Sequence, residues 1–161
     1  MKRKTSRVKP EPSALAEPAA PSVRLIEERF GPIVAAVDRI ARAADPPAIR
    51  LEGAMEIVFG AYGQSDADFS ELLLTGWMGA RRDKHHRLAL SWQREQLRLS
   101  IEEILEAGAA SGAFRKALDA SAVSGIILAS AEGCLLQSAT QGGVVPPAEL
   151  VRALLDLVSG A

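Results

Sequence analysis

The stretch SAVSGIILASAEGCLLQSAT, residues 121–140, constrains the fold more than any other part of the chain. Glu132 is its one charged residue. Taken in steps of four, Ser121, Gly125, Ala129 and Gly133 make one row of a helix, and Ala122, Ile126, Ser130 and Cys134 the next. Val123, Ile127, Ala131 and Leu135 make a third row, and Ser124, Leu128, Glu132 and Leu136 a fourth. A helix that is apolar all round has to be covered all round. A domain drawn from 161 residues covers one side, and the row of small residues lets a second helix backbone approach on the other. The segment AELVRALLDLVSG, 148–160, repeats the pattern with Leu150, Val151, Leu154, Leu155, Leu157 and Val158. Two such helices from each of two subunits would form a four-helix bundle on a twofold axis. The expected homodimer interface is Ser121, Gly125, Ile126, Ala129, Gly133, Leu136, Leu150, Leu154 and Leu157. The alternative is a central core helix in a monomer.

Composition points the same way. Apolar residues make up 48% of the chain but aromatics only 4%, a bias to Ala and Leu that favours helix over strand. Helical spacing of apolar residues predicts helices over 23–44, 46–62, 66–82, 84–107, 117–141 and 148–160. Ser22 is expected to cap the first, and Gly31-Pro32 to break or kink it. Asp45-Pro46 is a cap and first-turn signal for the second. Phe69, Leu72, Leu73, Trp77 and Met78 are expected to face inward on the third, and Leu90, Leu97, Ile101, Ile104 and Leu105 on the fourth. GQSD and QGGVVPP read as loops. No strand pattern and no internal repeat is visible, so the fold class is all-α.

Residues 1–21 hold four prolines and almost no large apolar side chain, and are expected to be a disordered basic tail. They carry Lys2, Arg3, Lys4, Arg7 and Lys9 against Glu11 and Glu17, about +3, while residues 22–161, the helical domain, carry about −4. No apolar run is expected to reach the roughly 18–20 residues that span a bilayer, and no secretory signal opens the chain, so no membrane partner and a cytoplasmic protein are expected. Cys134 is the single cysteine, which excludes an intrachain disulfide.

Chemistry-bearing motifs are absent from the reading. His85 and His86 are neighbours on a helix and point about 100° apart, so one helix cannot bring both to one ion; they read as a solvated helix start. Cys134 reads as a small buried hydrophobe. There is no nucleophile motif, P-loop or dinucleotide fingerprint. Neither a metal, nor a cofactor, nor catalysis is expected.

Residues 98–137, RLSIEEILEAGAASGAFRKALDASAVSGIILASAEGCLLQ, resemble the C-terminal half of TetR-family regulators. The signature is a helix that ends in Gly108 and Gly112, followed by Phe114 and Arg115. Asp119 then opens a long helix carrying Glu132-Gly133. The resemblance covers roughly 140 residues, of which 108–136 are distinctive, and implies a helical effector-binding and dimerisation domain. Met55, Phe59, Tyr62, Trp77, Met78 and Trp92 lie on the helices that line effector pockets in that family. They are the expected walls for a small apolar effector, with Tyr62, Arg81 or Glu132 as polar anchor; ordinary core is the alternative.

Members of that family begin with a three-helix DNA-binding unit of about 45–50 residues, whose recognition helix enters the major groove. Here 21 tail residues stand in that place, and 33–62 offer only the mostly apolar RLEGAMEIVFGAYG as a second helix. The expectation is a regulator without a DNA-reading head, acting by dimerisation and by binding an effector or a partner protein. A full-length TetR-type repressor is one such partner, held in a mixed dimer with a single head. Specific DNA binding is not expected. The rival readings are a regulator that touches DNA through its tail or a partner, and a scaffold whose interaction surface alone matters.

Overall fold

The computed structural model describes residues 21–63, 67–141 and 146–159. They form six helices and no strand: α1 (Val23–Ala41), α2 (Pro47–Gly63), α3 (Ala67–Ala80), α4 (Lys84–Ser111), α5 (Ala120–Gln141) and α6 (Pro147–Ser159). The all-α expectation holds. Apart from Pro21, the expected tail lies outside the described residues, as do positions 64–66 and 142–145 of the two expected loops.

Local chemistry sets most helix ends. The Leu25 N–H donates to the Ser22 hydroxyl (3.2 Å), capping α1. Pro47 stands at the first position of α2, where its missing N–H costs nothing, and the Pro46 carbonyl accepts the first helical bond from Arg50 (3.0 Å). Asp83 caps α4 by accepting from the His85 N–H (2.7 Å), and Asp119 caps α5 by accepting from the Ala122 N–H (2.9 Å).

The helix spans differ from expectation at α1 and α4. Gly31-Pro32 does not interrupt α1. Pro32 is exposed and removes one backbone bond, while Ile26 and Phe30 before it and Val37 and Ala41 after it are all buried. Packing on both sides outweighs that single loss. Likewise α4 runs on through Gly108 to Ser111 and stops at Gly112, which takes the left-handed conformation at φ 79°.

The Gly108–Arg115 signature then has a physical meaning. The Phe114 ring folds back onto α4 and sits on Gly108, where a Cβ would lie only 1.9 Å from the ring. The Phe114 N–H donates to the Gly108 carbonyl (3.0 Å). Arg115 reaches the far end of the chain, where its N–H donates to the Val158 carbonyl (3.1 Å) and its guanidinium to the Leu157 carbonyl. The turn thereby ties α4 to the last turn of α6, whose final carbonyls have no helical partner.

α2 and α4 occupy the centre. α4 packs on α1, α3 and α5, and α2 on α1, α5 and α6 as well as on α4. Leu51, Ala54, Met55, Val58 and Phe59 of α2 are wholly enclosed. So Met55 and Phe59, expected in a pocket, are core residues. The Arg50 guanidinium donates to the Ala41 carbonyl (2.6 Å) and so closes the C-terminal end of α1. α5 is held to α4 by Arg98, whose guanidinium pairs with Glu95 and Glu102 and donates to the Ser121 hydroxyl (3.1 Å).

α5 divides into two faces. Ser124, Ile127, Leu128, Ala131, Cys134 and Leu135 are buried, while Ser121, Ala122, Ile126, Ala129 and Leu136 are exposed. By length and composition Ala120–Thr140 would pass for a membrane span, contrary to the expectation that no run would. In this fold its inner face is core against α2 and α4. On α6, Leu157 is exposed, Leu150 is half-buried and Leu154 is buried within the chain. Leu154 therefore faces its own core and does not lie on the open surface where an interface residue was expected.

Candidate functional site

Five helices surround a cavity of about 160 Å³. α1 supplies Phe30, α2 Tyr62, α3 Trp77 and Ala80, α4 Arg87, Leu90, Ser91 and Arg94, and α5 Glu132. Phe30, Tyr62 and Leu90 are buried on the apolar stripes of their helices, so that part of the lining is a by-product of helix packing.

One wall is aromatic. Phe30 meets Phe69 (ring centroids 5.2 Å) and Tyr62 (6.4 Å, edge-on), and Tyr62 meets Phe69 edge-on (5.9 Å). This cluster fixes the Tyr62 ring from behind while Trp77 and Leu90 add apolar surface. The phenol is pushed far above its ordinary value, first by burial and then by the Glu132 carboxylate, with Arg94 opposing. Tyr62 therefore stays protonated and offers an O–H donor.

The opposite side is polar. The Arg94 guanidinium donates to Glu132 from Nε to Oε1 (2.6 Å) and from Nη2 to Oε2 (3.5 Å). Glu132 is the lone charge of α5, and this two-point contact across the α4–α5 seam explains how an apolar helix accommodates it. Ser91 and Arg87 are exposed and form the mouth.

Of the residues expected in a pocket, the structure brings Tyr62, Trp77 and Glu132 to this cavity. Met55 and Phe59 lie in the core. Met78 and Trp92 are exposed by 53% and 58%, so neither forms a wall. Met78 was also expected to face inward. Arg81 is exposed at the end of α3, outside the lining. Phe30, Ala80, Arg87, Leu90, Ser91 and Arg94 were not anticipated. The sequence did signal that some cation must meet Glu132, because a lone Glu inside an apolar helix needs one on a neighbouring helix, but not that it is Arg94.

The α4 start differs from the expected solvated pair. His85 is exposed, but the His86 side chain is largely buried, with Nδ1 2.9 Å from the Asp83 carboxylate and Nε2 at the Pro21 carbonyl. Among the described residues no three His, Cys, Asp or Glu side chains gather closely enough to hold a metal ion. α2 packs its apolar face on α1, α4, α5 and α6.

No curated protein and no solved structure is significantly similar to the chain. The sequence model of the BetI-type transcriptional repressor C-terminal domain does match, over residues 47–161, which takes in α2 to α6. With that match across more than two thirds of its length, and with the helical architecture just described, the chain belongs to the TetR family of regulators.

Proposed function

We propose that this domain is a regulatory module that binds a small effector in the five-helix cavity and pairs with a second copy of itself through α5. The observation that carries the first half is the cavity: an aromatic wall, a protonated phenol and a two-point ion pair converge on a space of about 160 Å³. Mostly apolar walls with a few fixed polar groups are what a small-molecule site requires. Because the lining comes from α1 to α5 together, an occupant would bias how those helices sit against one another.

The pairing half rests on the outer face of α5. Ala122, Ile126, Ala129 and Leu136 are exposed, and a Cβ added at Gly125 or Gly133 would meet nothing within 4 Å. That face is apolar and has room for an approaching backbone. Leu157 of α6 is a further exposed apolar side chain. The described residues act by binding, in the cytoplasm, and not by reading DNA or by catalysis.

The cavity reading is tested by thermal shift with four ring-sized probes: benzoate, benzamide, benzylamine and indole. At least one should raise the melting temperature of the native chain, and Ala80→Trp, which fills the space, should abolish that rise. Four probes without effect on the native chain would remove the reading. The pairing is tested by light scattering, where a monomer at tens of micromolar would remove it.

A further inference from the structure

We infer that the occupant of the cavity is a ring-sized organic monoanion, held through Arg87 at the mouth; this rests on the effector-site reading above. The charges decide it. Among the described lining residues Glu132 is the only carboxylate, and Arg94 contacts both of its oxygens. The charges of that pair offset one another. Arg87 is the second cation in the lining, exposed, and engaged in no side-chain ion pair among the described residues. The described part of the lining thus carries one uncommitted positive charge.

Ala80 of the lining ends α3, and Arg87 lies one turn into α4. A space of this size takes one ring with a substituent, given that an engineered cavity of ~150 Å³ takes benzene. The ring lies between Phe30, Trp77 and Leu90, the carboxylate meets Arg87, and the Tyr62 O–H faces a polar edge of the ring.

Calorimetric titration of the native chain and of Arg87→Gln with benzoate, benzamide and benzylamine tests this. Benzoate should bind tightest, should weaken as salt rises, and should lose roughly tenfold in affinity in Arg87→Gln, while benzamide changes by less than about twofold. Arg87 is exposed, so the variant keeps its fold, checked by its unchanged melting temperature without ligand. Benzamide or benzylamine binding as tightly as benzoate would overturn the anion assignment and leave the cavity reading standing. Benzoate that binds tightest yet ignores Arg87→Gln would overturn the role of Arg87. None of the three binding would overturn the anion assignment and, with indole also without effect, the cavity reading itself.

Discussion

Replacing Gly108 by alanine tests the reading of the α4–α5 turn, because two opposing effects predict opposite signs. Gly108 lies inside α4, where Gly→Ala ordinarily stabilises a helix by about 0.8–1 kcal/mol. Here the added Cβ would stand 1.9 Å from Cδ2 and 2.2 Å from Cε2 of Phe114. Carbon atoms rest at roughly 3.5–4 Å, so the ring must retreat by something like 1.5–2 Å. Phe114 is only 2% exposed and its N–H is tied to the Gly108 carbonyl, so it has little room. Overpacking costs about 1–3 kcal/mol, and full expulsion of a buried Phe about 3–5 kcal/mol. Set against the propensity gain, the expected outcome runs from no net gain to a loss of about 4 kcal/mol. Gly60 is the control: it too is inside a helix, but it is exposed and a Cβ there meets nothing within 4 Å. Gly60→Ala should gain up to about 1 kcal/mol. Urea unfolding followed by circular dichroism at one fixed protein concentration reads both. In the double variant with Phe114→Ala, the Gly108→Ala penalty should largely disappear. A Gly108→Ala variant as stable as Gly60→Ala would refute the claim that this glycine is there to seat a ring.

Three further outcomes are expected. Gly133→Arg places a charge on the open α5 face and should yield monomer or aggregate by light scattering, whereas Gly133→Ala should keep the fold; a Gly133→Arg chain that stays dimeric with unchanged melting temperature would end the α5 interface. Asp83 is held below the ordinary carboxylate range, chiefly by the His85 N–H and then by His86; a lowered folded value means that its contribution is present above about pH 4 and lost as pH falls through that lower value, so Asp83→Ala should lower the melting temperature at pH 7 and the gap to the native chain should close in acid. The purified chain at physiological salt should not discriminate its own upstream DNA from a scrambled duplex, since phosphate contacts alone carry no sequence information; a footprint over a palindrome would contradict this.

Most of the helical frame was legible in the sequence because it depends on local chemistry. Ser22, Pro47, Asp83, Asp119 and Gly112 act within one turn of themselves, and helix ends can be read from such residues alone. The misses required knowledge of what packs where. Whether Pro32 breaks α1 depends on the core contacts of Phe30 and Val37, not on Pro32. Met78 and Trp92 fit an apolar stripe as well as Leu73 or Leu90 do, yet they point outward. A 28-residue helix touching several others has more than one apolar stripe, and sequence spacing does not rank them.

The candidate site was legible only where it broke a rule. Aromatic residues could be core or pocket wall, and the expected set split between the two: Met55 and Phe59 went to the core, Tyr62 and Trp77 to the cavity. Glu132 was different, since a charge in the middle of an apolar helix is costly unless a partner meets it. Its partner could not be found from sequence separation, because Arg94 lies 38 residues away on the far side of the Gly108–Arg115 turn. That turn folds α5 back along α4 and so brings the two charges together. The residues that mark the family in sequence, Gly108, Gly112, Phe114 and Arg115, do not line the cavity. They set the path of the chain that brings Glu132 to Arg94. The motif and the site are therefore built from different residues, and the cavity walls can be altered without touching the residues that make the turn.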